Sequence, residues 1–169
     1  MRSQAEHTVI LGSSGGNGSK LPARTPMPSR LGRYELTHEL GKGAMGVVYQ
    51  GRDPRINREV AVKAISLADE FDPEDLEQAR TRFFREAEMA GRLSHPHIVT
   101  IYDAGEDGGT AYIAMELLRG QHLVEYTTAA RLLPTAVAIE IVARLADALH
   151  YAHQNQVVHR DIKPANIMF

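Results

Sequence analysis

The chain has 169 residues, 43% of them hydrophobic and 24% charged, with a formal net charge of −2 and no cysteine. That length allows one or two domains and a sizeable core, and the charge gives no basic field for nucleic acid or an acidic membrane surface. The missing cysteine removes disulfides, thiolate metal sites and cysteine nucleophiles, and it fits a reducing cytoplasm.

Residues 1–32 are rich in Gly, Ser, Pro and Arg, lack an apolar period and are expected to form a flexible leader. The first twenty residues are not a signal peptide, because acidic Glu6 precedes an apolar core of only three residues, Val9 to Leu11. The stretch VILGSSGGNGSK looks like a strand running into a phosphate loop. A Walker loop needs Gly, four residues, then Gly-Lys-Ser/Thr; here Asn17 stands five after Gly12, and Ser19 precedes Lys20.

From Tyr34 the pattern changes. YELTHELGKGAMGVVYQGRD reads as two strands around a glycine turn, and REVAVKAIS as a third. DPEDLEQARTRFFREAEMAGRL reads as a helix, with Asp72 a candidate N-cap and Pro73 in the first turn. HIVTIYDAGEDGGTAYIAMELL reads as two strands joined at Gly108 and Gly109. After Gly120 the chain turns helical: PTAVAIEIVARLADALHYAHQ starts at Pro134 and carries Val137, Ile141, Leu145 and Leu149 down one face. This is the most apolar stretch, but Glu140, Arg144 and Asp147 break it, so no run approaches the roughly 18 residues of a membrane span.

Gly41, Gly43 and Gly46 form a Gly-x-Gly-x-x-Gly pattern. A Rossmann fingerprint needs a helix straight after such glycines, whereas VVYQG favours a strand. The loop therefore reads as a flap between two strands. Further on, strand alternation in VAVK puts Ala61, Lys63 and Ile65 on one face. A lysine there is an ordinary edge residue unless a carboxylate waits opposite. In the helix, Leu76, Ala79, Phe83, Ala87, Ala90 and Leu93 fall in an arc of roughly 120°, and Glu86 falls inside it. Glu86 is thus the helix carboxylate expected to face the core and to pair with Lys63.

With these elements in place, the chain from Tyr34 to Phe169 closely resembles the protein kinase family, most nearly the bacterial serine/threonine type. Gly41-Lys-Gly-Ala-Met-Gly-Val-Val48 resembles the glycine flap over ATP, and Val60-Ala-Val-Lys63 the strand whose lysine holds the α- and β-phosphates. Glu86 resembles the partner of that lysine, and His159-Arg-Asp-Ile-Lys-Pro-Ala-Asn166 the catalytic loop. The resemblance implies an α+β fold: a five-stranded antiparallel sheet plus one helix over 33–118, then the start of a helical lobe over 119–169. It implies ATP-dependent, Mg²⁺-dependent phosphorylation of serine or threonine in a protein substrate, with no nucleic-acid partner and no membrane segment in this chain.

Site roles follow from the same resemblance. Asp161 accepts the substrate hydroxyl proton, Lys163 contacts the transferred phosphate, Asn166 holds Mg²⁺, and Arg160 pairs with a phosphorylated activation loop. Leu40, Val48, Ala61 and Met168 sandwich adenine, Met115 is the gatekeeper, and Glu116 and Leu118 form the hinge. His95, His97, His150, His153 and His159 could suggest a metal site, but no acidic or cysteine ligand is clearly placed with them in the sequence. A non-catalytic, pseudokinase-like nucleotide-binding or scaffold module is the alternative. The family's Asp-Phe-Gly triplet occurs nowhere in the sequence, so the chain is expected to be a kinase cut just after its catalytic loop and weak or inactive alone.

Overall fold

The computed structural model describes residues 27–43 and 46–169. Residues 1–26, most of the expected leader and the whole of the rejected phosphate loop, lie outside the described residues. The described chain divides into two compact units, 27–91 with 101–117 and 92–100 with 118–169.

The first unit is a six-stranded antiparallel sheet with a helix on one face. Its strands are β1 (Arg30–Leu31), β2 (Tyr34–Gly43), β3 (Gly46–Asp53), β4 (Arg58–Ser66), β5 (Ile101–Asp107) and β6 (Thr110–Glu116), in the order β1-β2-β3-β4-β6-β5. Five strands were expected. The sixth is β1, which turns at Gly32 (φ +54°) and pairs Arg30 with Glu35 and Leu31 with Tyr34. Two residues are too short to show a period of two, so sequence pattern could not reveal it. The sheet thus begins inside the segment read as leader.

Alternation along β4 sorts the apolar residues as expected. Val60, Val62 and Ala64 join Tyr34, Leu36, Tyr49, Tyr112 and Ala114 in the main core. Ile65 lies on the other face, with Leu67 and Ala111, under Leu76 and Phe83 of the helix. The β5–β6 turn uses two consecutive left-handed glycines, Gly108 (φ +56°) and Gly109 (φ +80°), the geometry that a two-residue hairpin of matching twist requires.

The helix differs from expectation at its start. A short helix α1 (Leu67–Glu70) ends β4, and α2 runs Leu76–Gly91 rather than from Asp72. Asp72 lies in the preceding turn, where its carbonyl takes the Asp75 N–H at 2.9 Å; an i, i+4 bond then runs from the Ala79 N–H to the Asp75 carbonyl. Beyond its start, the arc holds: Ala87 is buried, and Leu76, Ala79, Phe83 and Ala90 are half-buried.

One polar cluster ties distant parts of the sheet. Arg33 reaches Asp53 at 2.9 Å and Asp103 at 3.1 Å, and the Tyr34 hydroxyl donates to Asp103 at 3.1 Å. Asp53 is 4% exposed. Burial pushes its carboxyl up, but the Arg55 N–H and the Arg33 guanidinium outweigh this and hold it below the usual range. Burial pushes the Tyr34 phenol well up, so that side chain stays a neutral donor.

The second unit is built on α3 (Thr135–Gln154), preceded by Pro134 as expected. Ala148 and Ala152 pack on Leu93 and Ile98, with Tyr151 and Val157 against them. His95 donates from Nε2 to Asp147 at 3.1 Å, stacks on Tyr151, and accepts the His97 N–H at Nδ1. On the expected apolar face Ile141 is buried and Val137, Leu145 and Leu149 are half-buried; Ile139 and Val142 are the large apolar α3 side chains left exposed. Residues 121–123 pair with 167–169: the Gln121 N–H donates to the Phe169 carbonyl, the Phe169 N–H to Gln121, and the Leu123 N–H to Ile167. Among the described residues, no helix is long and apolar enough to cross a membrane.

Gly46 carries the sharpest local requirement. Its φ is +112°, and a Cβ there would collide with the Ala64 carbonyl of β4. Gly46→Ala should therefore lower stability by about 1–3 kcal/mol. Gly41→Ala, with nothing within 4 Å of the added carbon, should change it by no more than about 1 kcal/mol. Urea unfolding midpoints of the two variants check this.

Candidate active site

The sheet unit holds the glycine flap and the lysine strand. Across the ladders Gly41 pairs with Val48, Val48 with Lys63, and Lys63 with Ile113. Residues directly opposite in antiparallel strands share a face, so Gly41, Val48 and Lys63 form one row. Ala61 pairs with Met115 on the same face, two residues along β4. Ala61 and Met115 are buried, while Val48 and Lys63 are half-buried. This face is apolar where an adenine ring would need contact and cationic one step away. Gly41 and Gly43 have open space on their side-chain side, as a close approach by phosphate requires. Leu40 falls at the register shift between Glu39 and Gly41 and is exposed. Glu116 ends β6.

Glu86 corrects the sequence reading. The arc placed it toward the core, but its side chain is 49% exposed and accepts from Arg82 Nε at 2.8 Å. The physical reason is cost. A carboxylate at the rim of an apolar arc can turn outward and meet a cation one helical turn back, with no desolvation. The i, i+4 spacing of Arg82 and Glu86 carried that signal, and the sequence reading missed it.

The helical unit holds the catalytic loop. Here the side chains, rather than a regular element, set the backbone. His159 Nδ1 accepts the Asp161 N–H at 3.2 Å, and Arg160 between them is left-handed, with φ +64°. Burial pushes the His159 imidazole down, so the neutral ring carries its proton on Nε2. Pro164–Asn166 forms a single 3₁₀ turn, closed by the Asn166 N–H on the Lys163 carbonyl at 2.9 Å. The turn brings the Asn166 amide back to Asp161. Its Nδ2 donates to the Asp161 carbonyl at 2.8 Å and to Asp161 Oδ2 at 3.2 Å. Lys163 Nζ sits 2.8 Å from the same carboxylate oxygen.

Three residues expected to act together thus meet at Asp161. The Lys163 ammonium, in spite of the opposing effect of burial and with help from the Asn166 amide, holds the Asp161 carboxyl below the usual aspartate range. The Asn166 amide nitrogen is committed to Asp161, which leaves the amide oxygen as the atom a hard cation could take. Met168 follows in the short ladder, bridging His122, and Leu118 lies half-buried where this unit's chain resumes. Among the described residues no group of three His, Asp or Glu side chains gathers as a metal site.

A family model described as the protein kinase domain matches residues 34–169. The chain belongs to the protein kinase family. Its relatives are bacterial serine/threonine kinases. This kinase chain is 44% identical over 137 residues to the serine/threonine-protein kinase PrkC of Bacillus subtilis, covering 81% of this chain and 20% of that protein. It is 43% identical over 148 residues to PknB of Mycobacterium leprae, covering 85% and 23%. The crystal structure of the Mycobacterium tuberculosis PknI kinase domain matches it with a TM-score of 0.68 at 38% identity, over 84% of this chain and 58% of that one. The kinase chain therefore spans about a fifth of the length of these curated relatives.

The charge state of Asp161 is testable. Its folded pKa is depressed, so its pairing contributes fully above the ordinary aspartate range and is lost as pH falls through the folded value. The Asp161 carboxyl carbon should titrate below exposed aspartates by NMR. Lys163→Met should move its midpoint up, and by more than Asn166→Ala does.

Proposed function

We propose that this kinase domain transfers the γ-phosphoryl group of ATP to serine or threonine hydroxyls of a protein substrate. The observation that carries the reading is the convergence of Lys163 and Asn166 on one oxygen of Asp161. A depressed pKa keeps Asp161 ionised at neutral pH, so it can accept a hydroxyl proton and aim the hydroxyl in line with the phosphorus. Lys163, which meets Asp161 at 2.8 Å, is the cation for the transferred phosphate. Lys63 holds the α- and β-phosphates, and the backbone at Gly41 and Gly43 covers them; Glu86, which meets Arg82 in this structure, is the carboxylate the family pattern assigns to Lys63. Arg160 is the residue for a phosphorylated activation loop.

The donor chemistry fits Mg²⁺ at Asn166, whose amide oxygen is a hard ligand. When bound, the ion neutralises charge between the β- and γ-phosphates. Adenine lies against Val48, Ala61 and Met115, with Leu40 and Met168 as the remaining contacts and Glu116 and Leu118 giving backbone bonds at the hinge.

A non-catalytic nucleotide-binding module is the second reading. One observation favours it for the 169 residues alone: Asn166 is the one metal-holding residue that the family pattern locates in them. The two readings part in a radiolabelled ATP assay with a basic protein substrate. In a chain that includes an Asp-Phe-Gly segment, Asp161→Asn should cut phosphate incorporation by about 10²–10⁴ while leaving nucleotide affinity in place. The 169-residue chain should run orders of magnitude slower than the longer one, since metal stabilisation of the transition state is worth several kcal/mol. Incorporation by the longer chain that is indifferent to Asp161 overturns the catalytic reading.

A further inference from the structure

The helical unit builds the same turn twice. His159 Nδ1 accepts the N–H of Asp161, two residues on, at 3.2 Å. His95 Nδ1 accepts the N–H of His97, also two residues on and also at 3.2 Å. A ring nitrogen that accepts from the backbone carries no proton, so in both turns the imidazole is neutral and its proton sits on Nε2. A second proton, added at Nδ1, sets donor against donor and undoes the turn.

The two rings differ in what meets Nε2. At His159 that atom is buried, with no hydrogen-bond partner among the described residues, and burial pushes the imidazole down. At His95, Nε2 donates to Asp147 of α3 at 3.1 Å. The His95 side chain is 11% exposed and that of Asp147 69%, so the ring is enclosed while its anionic partner stands in water. A carboxylate at this distance favours the imidazolium. The turn at 159–161 is thus sealed against acid, and the turn at 95–97 has an anion placed to receive the charge. Tyr151 of α3 stacks on the His95 ring with centroids 5.2 Å apart, and the His97 ring meets it edge-on at 5.6 Å. With Asp147, these are the titratable groups that face it. On the flanking turns of α3, Arg144 meets Glu140 and His150 meets Gln154.

The balance on protonation has a sign. Asp147 gains a full ion pair, but a pair with so exposed a partner contributes little. The part-buried His97 N–H loses its acceptor and is left with the cost of desolvation. Protonation therefore loosens the turn. The turn belongs to the seat of residues 92–100 on α3: the Ser94 N–H donates to the Tyr151 hydroxyl at 3.2 Å, and the Ile98 N–H to the His95 carbonyl at 3.1 Å. Leu93 and Ile98, on either side, pack with Ala148 and Ala152, and Val157 lies against them. Val157 stands two residues before His159, so this packing is where the catalytic loop begins.

We infer that His95 and Asp147 form an acid-sensitive latch: a proton on His95 releases the His97 N–H and loosens residues 94–98 from α3.

The test is NMR on the full 169-residue chain between about pH 8 and pH 5, the span in which imidazoles ordinarily change charge. It follows the His95 ring together with exchange of the His97 amide, corrected for the intrinsic pH dependence of exchange. Protection of that amide should fall roughly five-fold as the His95 ring takes its proton. Asp147→Asn still accepts from Nε2 but removes the charge that favours the imidazolium, so the fall should move to lower pH. His95→Asn should abolish it, because an Asn side-chain oxygen accepts the N–H two residues on and does not titrate. A His97 amide that stays protected while the His95 ring titrates overturns the latch. So does a fall that persists in His95→Asn, which would assign it to another group such as the His97 ring, or one that Asp147→Asn leaves at the same pH. Should His95→Asn fail to fold, Asp147→Asn, at an exposed position, decides alone.

Discussion

Side-chain alternation on β4 is the constraint on which both faces of the sheet depend. A slip of one residue would drive Lys63 into the core around Tyr34 and turn Val62 out. The strand is held against this from both sides, by β3 and by β6, in ladders with no register shift. Gly46 fixes one end, because the approach of the Ala64 carbonyl leaves no room for a Cβ. On β6, the Tyr112 hydroxyl occupies the space that a Cβ would need at both Gly32 and Gly105. Small residues on β1–β2 and β5 thus receive one large side chain from the strand beside β4. The face that carries Lys63 inherits its register from packing on the opposite face.

Fold and site were legible to different degrees, for physical reasons. Long elements with a clean period were readable. The presence of β2 through β6 along the chain, the placing of Ala61, Lys63 and Ile65 on one face, and the apolar arc of α2 all follow from periods of two and 3.6. Two-residue β1 and four-residue α1 carry too few positions for a period. The start of α2 was misread because Asp72-Pro73 suits an N-cap, yet the chain forms a turn there and enters the helix at Leu76. The Arg33 cluster was invisible because Arg33, Asp53 and Asp103 lie far apart in sequence, each unremarkable alone. Only the fold brings a buried Asp53 against a guanidinium.

The catalytic loop was legible by motif and not by period. Nothing regular runs from Val157 to Lys163, and local order there comes from side chains that take backbone groups, as His159 takes the Asp161 N–H. The left-handed backbone at Arg160 is the turn this bond demands. Residue identity could therefore suggest the loop, but spacing alone could not have placed Lys163 and Asn166 on one carboxylate oxygen. That needed the single 3₁₀ turn at Pro164.

Two carboxylates, one in each unit, share a design that differs in one respect. Each is paired with a cation close in sequence: Asp161 with Lys163, and Glu86 with Arg82. A local partner costs little chain entropy to recruit, so the charge stays compensated before any ligand arrives. Asp161 is the more enclosed, 27% exposed against 49% for Glu86. It also has a second donor in Asn166, and its pKa is depressed. That pairing makes a carboxylate that remains ionised and held in place at neutral pH. Glu86 has an exposed partner on a long side chain, and such a pair is cheap to break.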